Sequence, residues 1–381
     1  MSEIREELLR TLDKIVAEHP ANWEPGAAEI KAEQDSFPPE VRPTQQGAAA
    51  GLAMARRNDA WKALTEAGFA SVGGTGLDGD ISFEDAVAVI RRAAYHTLDY
   101  PVADLITARR IASRAGLAAP EARFTFAPSR TPGGIELYRA ADGVLQLRGA
   151  TQDTGHTFGC LLVDCVDEQG REGLAIVQEA DITQIRRSGT SNLADEHRAP
   201  VFLADEANTR RQTVLASTPY PNARNELIED GALLRSIQMA GAMDRVLEHA
   251  LTWVNDRVQF GKPIAKHQAV QHLMAQLAEE VAAASAAVDF AVEASAVKPD
   301  RFAIAVAKAR AGEAAGKAAN IAHAVFGAMG FTREHTLHNA TRRLWAWRNE
   351  FGGETYWQGE IGRRIAADGG ASLWPTLTAR G

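Results

Sequence analysis

Three textures of hydrophobic and polar positions follow one another along the chain. In the first, apolar residues recur at helical spacing, as in Leu8, Leu12 and Ile15 and again in Ala86, Val89, Ile90 and Ala93, with Gly- and Pro-rich breaks between segments. Ser82, followed by Glu84 and Asp85, has the chemistry of a helix start: a hydroxyl to accept a free N–H and acids to favour the positive end. From about Pro120 to Ser217 the apolar runs shorten to GVLQLRG, FGCLLVDCV, GLAIV and TVLAS, bounded by DG and EQG turn signals, which is how a compact sheet reads. From Asn225 the helical period returns. Leu233, Ile237, Ala240, Met243, Leu247, Leu251 and Val254 fall on one stripe, and Val270, Leu273, Leu277, Val281, Ala284 and Val288 on another. The alanine-rich runs VAAASAAVDFAVEASA and AVAKARAGEAAGKAANIAHAV allow helix axes to approach closely, as in a bundle. The pattern predicts a mainly α protein with a β domain: an N-terminal helical domain over 1–118, a middle β-sheet or barrel domain over 119–220 and a C-terminal four-helix bundle over 221–381.

Composition adds limits. A chain of 381 residues, 45% hydrophobic and 24% charged, has room for two or three domains with real cores. A formal charge of −8 speaks against a nucleic-acid or anionic-membrane surface, so a phosphate-bearing ligand would have to be met by a local basic pocket. Cys160 and Cys165 share the run CLLVDC with no matching Cys or His pair, so neither a disulfide framework nor a metal site is expected, and a reducing cytoplasm is. The start, MSEIREELLRTLDKIV, lacks the unbroken apolar core of a signal peptide, and no run reaches the roughly 18 apolar residues of a membrane span. The glycine-rich SVGGTGLDGDIS has neither the lysine nor the preceding strand of a phosphate loop and reads as a turn between helices.

One break between helices is unusually rich in donors. In RVQFGKPIAKHQAVQ, Gly261 and Pro263 stop the helix while Arg257, Gln259, Lys262, Lys266, His267 and Gln268 crowd together. Downstream, AHAVFGAMGFTREHTLHNATRRLWAWRNEFG supplies a second block. With the helical, β, helical order, these blocks resemble the acyl-CoA dehydrogenase family, possibly a divergent subunit of a heteromeric member. The resemblance implies FAD, held between the middle domain and the bundle and reaching across to a second subunit. Arg257 would pair with its pyrophosphate, Phe260 would pack near its adenine, and Gln259, His267 and Gln268 would add donors at a helix start. Phe326, Gly327 and Gly330 would form a second segment against the cofactor. It also implies an acyl-CoA substrate, an electron transfer flavoprotein as acceptor, and a homo-oligomer or an α2β2 heterotetramer.

The implied reaction, α,β-dehydrogenation of an acyl thioester, needs a carboxylate base over the α-carbon. The family's usual position falls on Phe351, within NEFGGE, with Glu350 one residue early; Glu350 is therefore the candidate base and Glu354 the weaker one. The family's alternative position falls near Gly231, flanked by Glu229 and Asp230. Further departures are Ala324 where a Gln is usual and a middle domain without the usual flavin-contacting runs, where Ser129 and Thr154 are the substitutes on offer. Trp345 and Trp347 read as core or interface packing rather than as walls of an acyl pocket. Two alternatives stay open: a catalytically silent subunit that completes a partner's FAD site, and a flavin-dependent oxygenase on the same fold.

Overall fold

The computed structural model describes residues 3–20, 27–38, 41–69, 72, 81–98, 101–131, 133–140, 142–154, 159–178, 184–185, 191–196, 198–203 and 214–378. Most of the glycine-rich run, residues 71 and 73–80, lies outside them, as do Gly155 and the side chain of Thr154.

Five helices come first: α1 (Glu3–Glu18), α2 (Ala27–Asp35), α3 (Gln45–Glu66), α4 (Phe83–Tyr95) and α5 (Val102–Arg114). Leu12 and Ile15 of α1 and Ala86, Val89, Ile90 and Ala93 of α4 are buried, as their spacing predicts. Ser82 caps α4 in a reciprocal box with Asp85. Asp13 holds α1 to α4, accepting two bonds from the Arg92 guanidinium (2.7 and 2.8 Å) and lying 2.7 Å from His96 Nε2.

The middle part is a sheet of eight strands: β1 (Phe124–Ala127), β2 (Glu136–Arg139), β3 (Leu145–Thr154), β4 (Cys160–Asp167), β5 (Glu172–Gln178), β6 (Gln184–Ile185), β7 (Ala199–Leu203) and β8 (Val214–Pro219). The order is β6-β7-β3-β2-β4-β5-β8, with β1 parallel to β4. Strand β4 is buried on both faces because the pleat sends alternate residues to two cores. Leu161, Val163 and Cys165 join the sheet's own interior, whereas Cys160 and Leu162 face the helices. The two cysteines therefore point to opposite sides of one strand and cannot form a disulfide with each other, and burial pushes the Cys165 thiol up to about 12.

Helix α6 (Ala223–Asp256) begins the C-terminal part, followed by a short hairpin of β9 (Val258–Gln259) and β10 (Lys262–Pro263), then α7 (Gln268–Ala294), α8 (Arg301–Phe326), α9 (Leu337–Trp347), α10 (Glu354–Asp368) and α11 (Leu373–Thr378). Helix α8 packs against α6, α7, α9 and α10. Its buried face is mostly alanine, including Ala303, Ala307, Ala311, Ala314, Ala318 and Ala322, so neighbouring axes come close. Helix α4 lies on α6 where Gly241 meets the Arg91 carbonyl, with no room for a Cβ. Leu251, placed on the α6 stripe by its spacing, is exposed. No helix among the described residues is long and apolar enough to cross a membrane.

Candidate functional site

Two features at the bundle carry the predicted site residues: an arm at the end of α6 and a turn at the end of α9.

The arm is a hairpin rather than an irregular loop. Arg257 leaves α6 extended, and its carbonyl accepts the Ile264 N–H at 2.9 Å. Gln259 faces Lys262, and the two residues between them, Phe260 (φ 53°) and Gly261 (φ 78°), both take the positive φ of a type I′ turn. For a phenylalanine that conformation costs about 1 kcal/mol. Phe260 is nevertheless 89% exposed, so the strain is not offset by packing within this chain. His267 is the residue before α7, its ring centre 5.9 Å from that of Phe260 in a T-shaped pair; among the described residues its buried Nε2 has no hydrogen-bond partner. Gln259 and Gln268 are exposed.

Trp253 ties this arm to the second block. The Arg257 guanidinium lies 5.9 Å from the Trp253 ring, and Trp253 stacks on Phe326 at 4.7 Å. Phe326 in turn packs on His335 at 4.6 Å, and His335 meets His249 at 5.1 Å. Burial pushes the His249 imidazole down to about 4, so it stays neutral at physiological pH. Sequence reasoning missed Trp253, yet it stands one helical turn before Arg257, on the same face, and that signal was available. Gly327 (φ 64°) is open, with nothing within 4 Å of where a Cβ would stand. The other two residues of that block are less open: Phe326 is buried behind the loop, and Gly330 is buried with a Cβ position that would meet His323, Phe326 and Leu337. The donors fit a phosphate-bearing cofactor. Among the described residues no carboxylate pairs with Arg257, and His267 Nε2 and the N-terminus of α7 lie beside it in sequence.

The turn places a phenyl ring at the position where the resemblance leads one to expect a carboxylate. Phe351 (φ 54°) and Gly352 (φ 97°) reverse the chain after α9. The Phe351 ring lies directly on Gly231 of α6, so closely that a Cβ at Gly231 would overlap it. It stacks on Phe126 of β1 at 5.7 Å, with the Arg235 guanidinium 5.7 Å from its centre. The two base positions, far apart in sequence, are thus one place in the fold, filled by an aromatic side chain. Beneath the turn, buried Lys308 donates to the carbonyls of Arg348 (2.8 Å) and Gly352 (2.7 Å), and burial pushes its ammonium down to about 7.

Each candidate carboxylate is committed to an arginine. Glu350 accepts from Arg235 Nε at 2.7 Å, Arg198 Nε at 3.2 Å and Asn192 Nδ2 at 3.2 Å. Burial alone would raise the Glu350 carboxyl, but the charges of Arg198 and Arg235 outweigh it and bring it down to about 2. A general base works best with a pKa near the operating pH, and the clamp shifts Glu350 in the opposite direction. Glu354 is opposed by burial in the same way and held below its usual range by Arg348, 2.8 Å away. Glu229 bonds Arg301 at 2.6 Å, and Asp230 bonds Arg110 at 3.2 Å and also Arg114. In the sheet, the Ser129 hydroxyl is fully buried and donates to Asp164 at 2.6 Å, so it is not free for a flavin. Trp347 is core, its Nε1 donating to Glu196 at 3.0 Å, and Trp345 stacks on His323 at 5.6 Å.

Residues 222–365 match the profile of the acyl-CoA dehydrogenase C-terminal domain. The chain is similar to acyl-CoA dehydrogenase FadE34 of Mycobacterium tuberculosis, 28% identical over 335 residues that cover 81% of this chain and 44% of that one. Glutaryl-CoA dehydrogenase of Desulfococcus multivorans is 39% identical over 182 residues, 44% of this chain and 45% of that one. The chain thus spans under half the length of these curated relatives. Among solved structures, the ChsE4-ChsE5 complex from Mycobacterium tuberculosis superposes with a TM-score of 0.74 at 19% identity, covering 96% of this chain and 98% of that one.

Proposed function

We propose that this chain, which belongs to the acyl-CoA dehydrogenase family by the sequence of residues 222–365 and by its fold, is a subunit that completes a partner's FAD site and supplies no base of its own. The assembly would oxidise an acyl-CoA thioester to the 2-enoyl thioester. The observation that carries the reading is the Phe351 ring against Gly231: neither position that could present a carboxylate does so.

FAD, when bound, supplies the hydride acceptor of that oxidation. This chain's part is to hold it. Arg257 would meet the pyrophosphate, with a guanidinium fork supported from below by Trp253. His267 Nε2 would give its unpartnered N–H, Gln259 and Gln268 would add donors, and Phe260 would offer its exposed ring to the adenine. Gly327 leaves space for close approach. The partner chain would carry the base, and electrons would pass to an electron transfer flavoprotein in the cytoplasm. Two findings support a paired assembly: a curated relative close to twice this length, and a solved neighbour that is a complex of two differently named chains.

The test is co-expression with a related family member. Arg257→Ala should strip flavin from the purified complex, while Glu350→Gln should leave turnover of the folded complex within about twofold, since removing a group that acts only in the transition state would slow turnover far more. Stoichiometric FAD and acyl-CoA oxidation by this chain alone would refute the proposal.

A further inference from the structure

The interactions of Glu350 extend well beyond one clamp, and no part of the cofactor arm uses them. Residues 191–196 and 198 come from the sheet domain, between β6 and β7, and grip α9. Glu196 accepts from Arg198 and from Trp347 Nε1, both at 3.0 Å, and from Asn192 Nδ2 at 2.8 Å, and lies 3.5 Å from Arg343 Nε. Asn192 and Arg198 both reach on to Glu350. From Glu350 the chain of charges continues to Arg235 on α6 and then, at 3.5 Å, to Asp104 on α5. Alongside it, Arg342 pairs with Asp195 at 2.6 Å and donates to the Leu193 carbonyl. Among the described residues, Asp104, Glu196 and Glu350 face Arg198, Arg235 and Arg343 in equal number.

Buried ion pairs of this kind add little stability over well-packed apolar groups; their best-attested use is to fix how elements seat. Here the seating joins sheet to bundle at the point where Phe351, the residue after Glu350, stacks on Phe126 of β1. We infer that the Glu196–Arg198–Glu350–Arg235 chain is an interdomain latch that closes this chain's own sheet–bundle crevice to a planar ring system. The inference rests on the proposed function only in taking that crevice as the place where a flavin ring would enter. Phe351 fills the crevice; the latch keeps its two walls together. A ring could enter only if both gave way.

The probe is riboflavin, which has the ring but lacks the phosphates that Arg257 would grip, titrated against the full chain by fluorescence quenching. Wild type and Phe351→Ala should show no saturable binding, because the latch still holds. Adding the charge-balanced pair Arg198→Met and Glu350→Gln to Phe351→Ala should give saturable binding at least about tenfold tighter than the weakest binding the titration can detect. Equal binding by Phe351→Ala alone would overturn the inference, as would a folded triple variant with altered Trp347 emission that binds no better than wild type. Hydrogen exchange covers the case in which the triple variant does not fold. In Glu196→Gln the amides of Asn192 and Glu350 should speed up by the same factor, as one cooperative unit, and unequal changes would overturn the latch. Loss of FAD from an Arg257→Ala complex is unaffected by any of these outcomes, so the two proposals fail separately.

Discussion

Gly231→Ala puts one methyl group into the contact that decides the functional reading. An ideal Cβ there falls inside the van der Waals envelope of three Phe351 ring atoms. The ring cannot simply swing aside, since Phe126 stacks on it at 5.7 Å and the Arg235 guanidinium lies at 5.7 Å. Overpacking of this kind costs about 1–3 kcal/mol. Against it stands the gain from replacing a helical glycine by alanine, about 1 kcal/mol. The net is a loss of about 1 kcal/mol, or a melting temperature lower by about 2–4 °C. In a Phe351→Ala background the overlap is gone, and the same substitution should stabilise by about 1 kcal/mol, so the double-mutant cycle should return a coupling of about 2 kcal/mol. Melts should be followed by far-ultraviolet circular dichroism and by tryptophan emission together, because coincidence of the two probes is what licenses the arithmetic. If Gly231→Ala raises the melting temperature equally in both backgrounds, the ring does not occupy the place assigned to it.

Other expectations follow from the ionisable groups. Lys308 has its pKa lowered from 10.5 to about 7 in the fold, so across that window the unfolded chain binds more protons. Stability should therefore rise with pH, by up to ~1.4 kcal/mol per unit, and Lys308→Met should abolish that part of the slope while leaving two turn carbonyls without their donor. Matching slopes for variant and wild type in melts between neutral and alkaline pH would exclude it. Asp13 is held below its usual range by its bonds to Arg92, against the opposing effect of burial. It contributes stability above its unfolded pKa that is lost as pH falls through the folded value. As a half-exposed pair it is worth no more than about 1 kcal/mol, so Asp13→Asn should leave the global melt almost unchanged while raising hydrogen exchange across Glu3–Glu18; unchanged exchange there would refute it.

Much of this architecture is legible from residue spacing. The helical period placed Leu12, Ile15, Val89 and Ile90 in the core, and the Ser82 cap formed as its residue types suggested. These features depend on residues within a turn or two of each other. The arm was legible as a crowd of donors, but its hairpin was not, because a Phe-Gly pair at a type I′ turn defies the usual preference for Asn-Gly. Gly330 is a case in which spacing is silent, because a glycine permits close approach equally to a ligand or to its own chain, and its Cβ position here faces His323, Phe326 and Leu337.

Residue spacing alone carried the periodicities, the order of helical and β parts, and the identity of the residues at 231 and 351. It could not say that these two positions touch, since α6 and the turn after α9 meet only in the folded bundle. Nor could it say which way Glu350 faces. Glu350 and Phe351 are consecutive, but the positive φ at Phe351 turns the chain so that one side chain enters a double arginine clamp and the other covers Gly231. A carboxylate's chemistry depends on the charges around it, and here Arg198 and Arg235 arrive from a strand connection and a helix far away in the chain. Local spacing sets the elements; long-range packing alone brings two arginines onto Glu350.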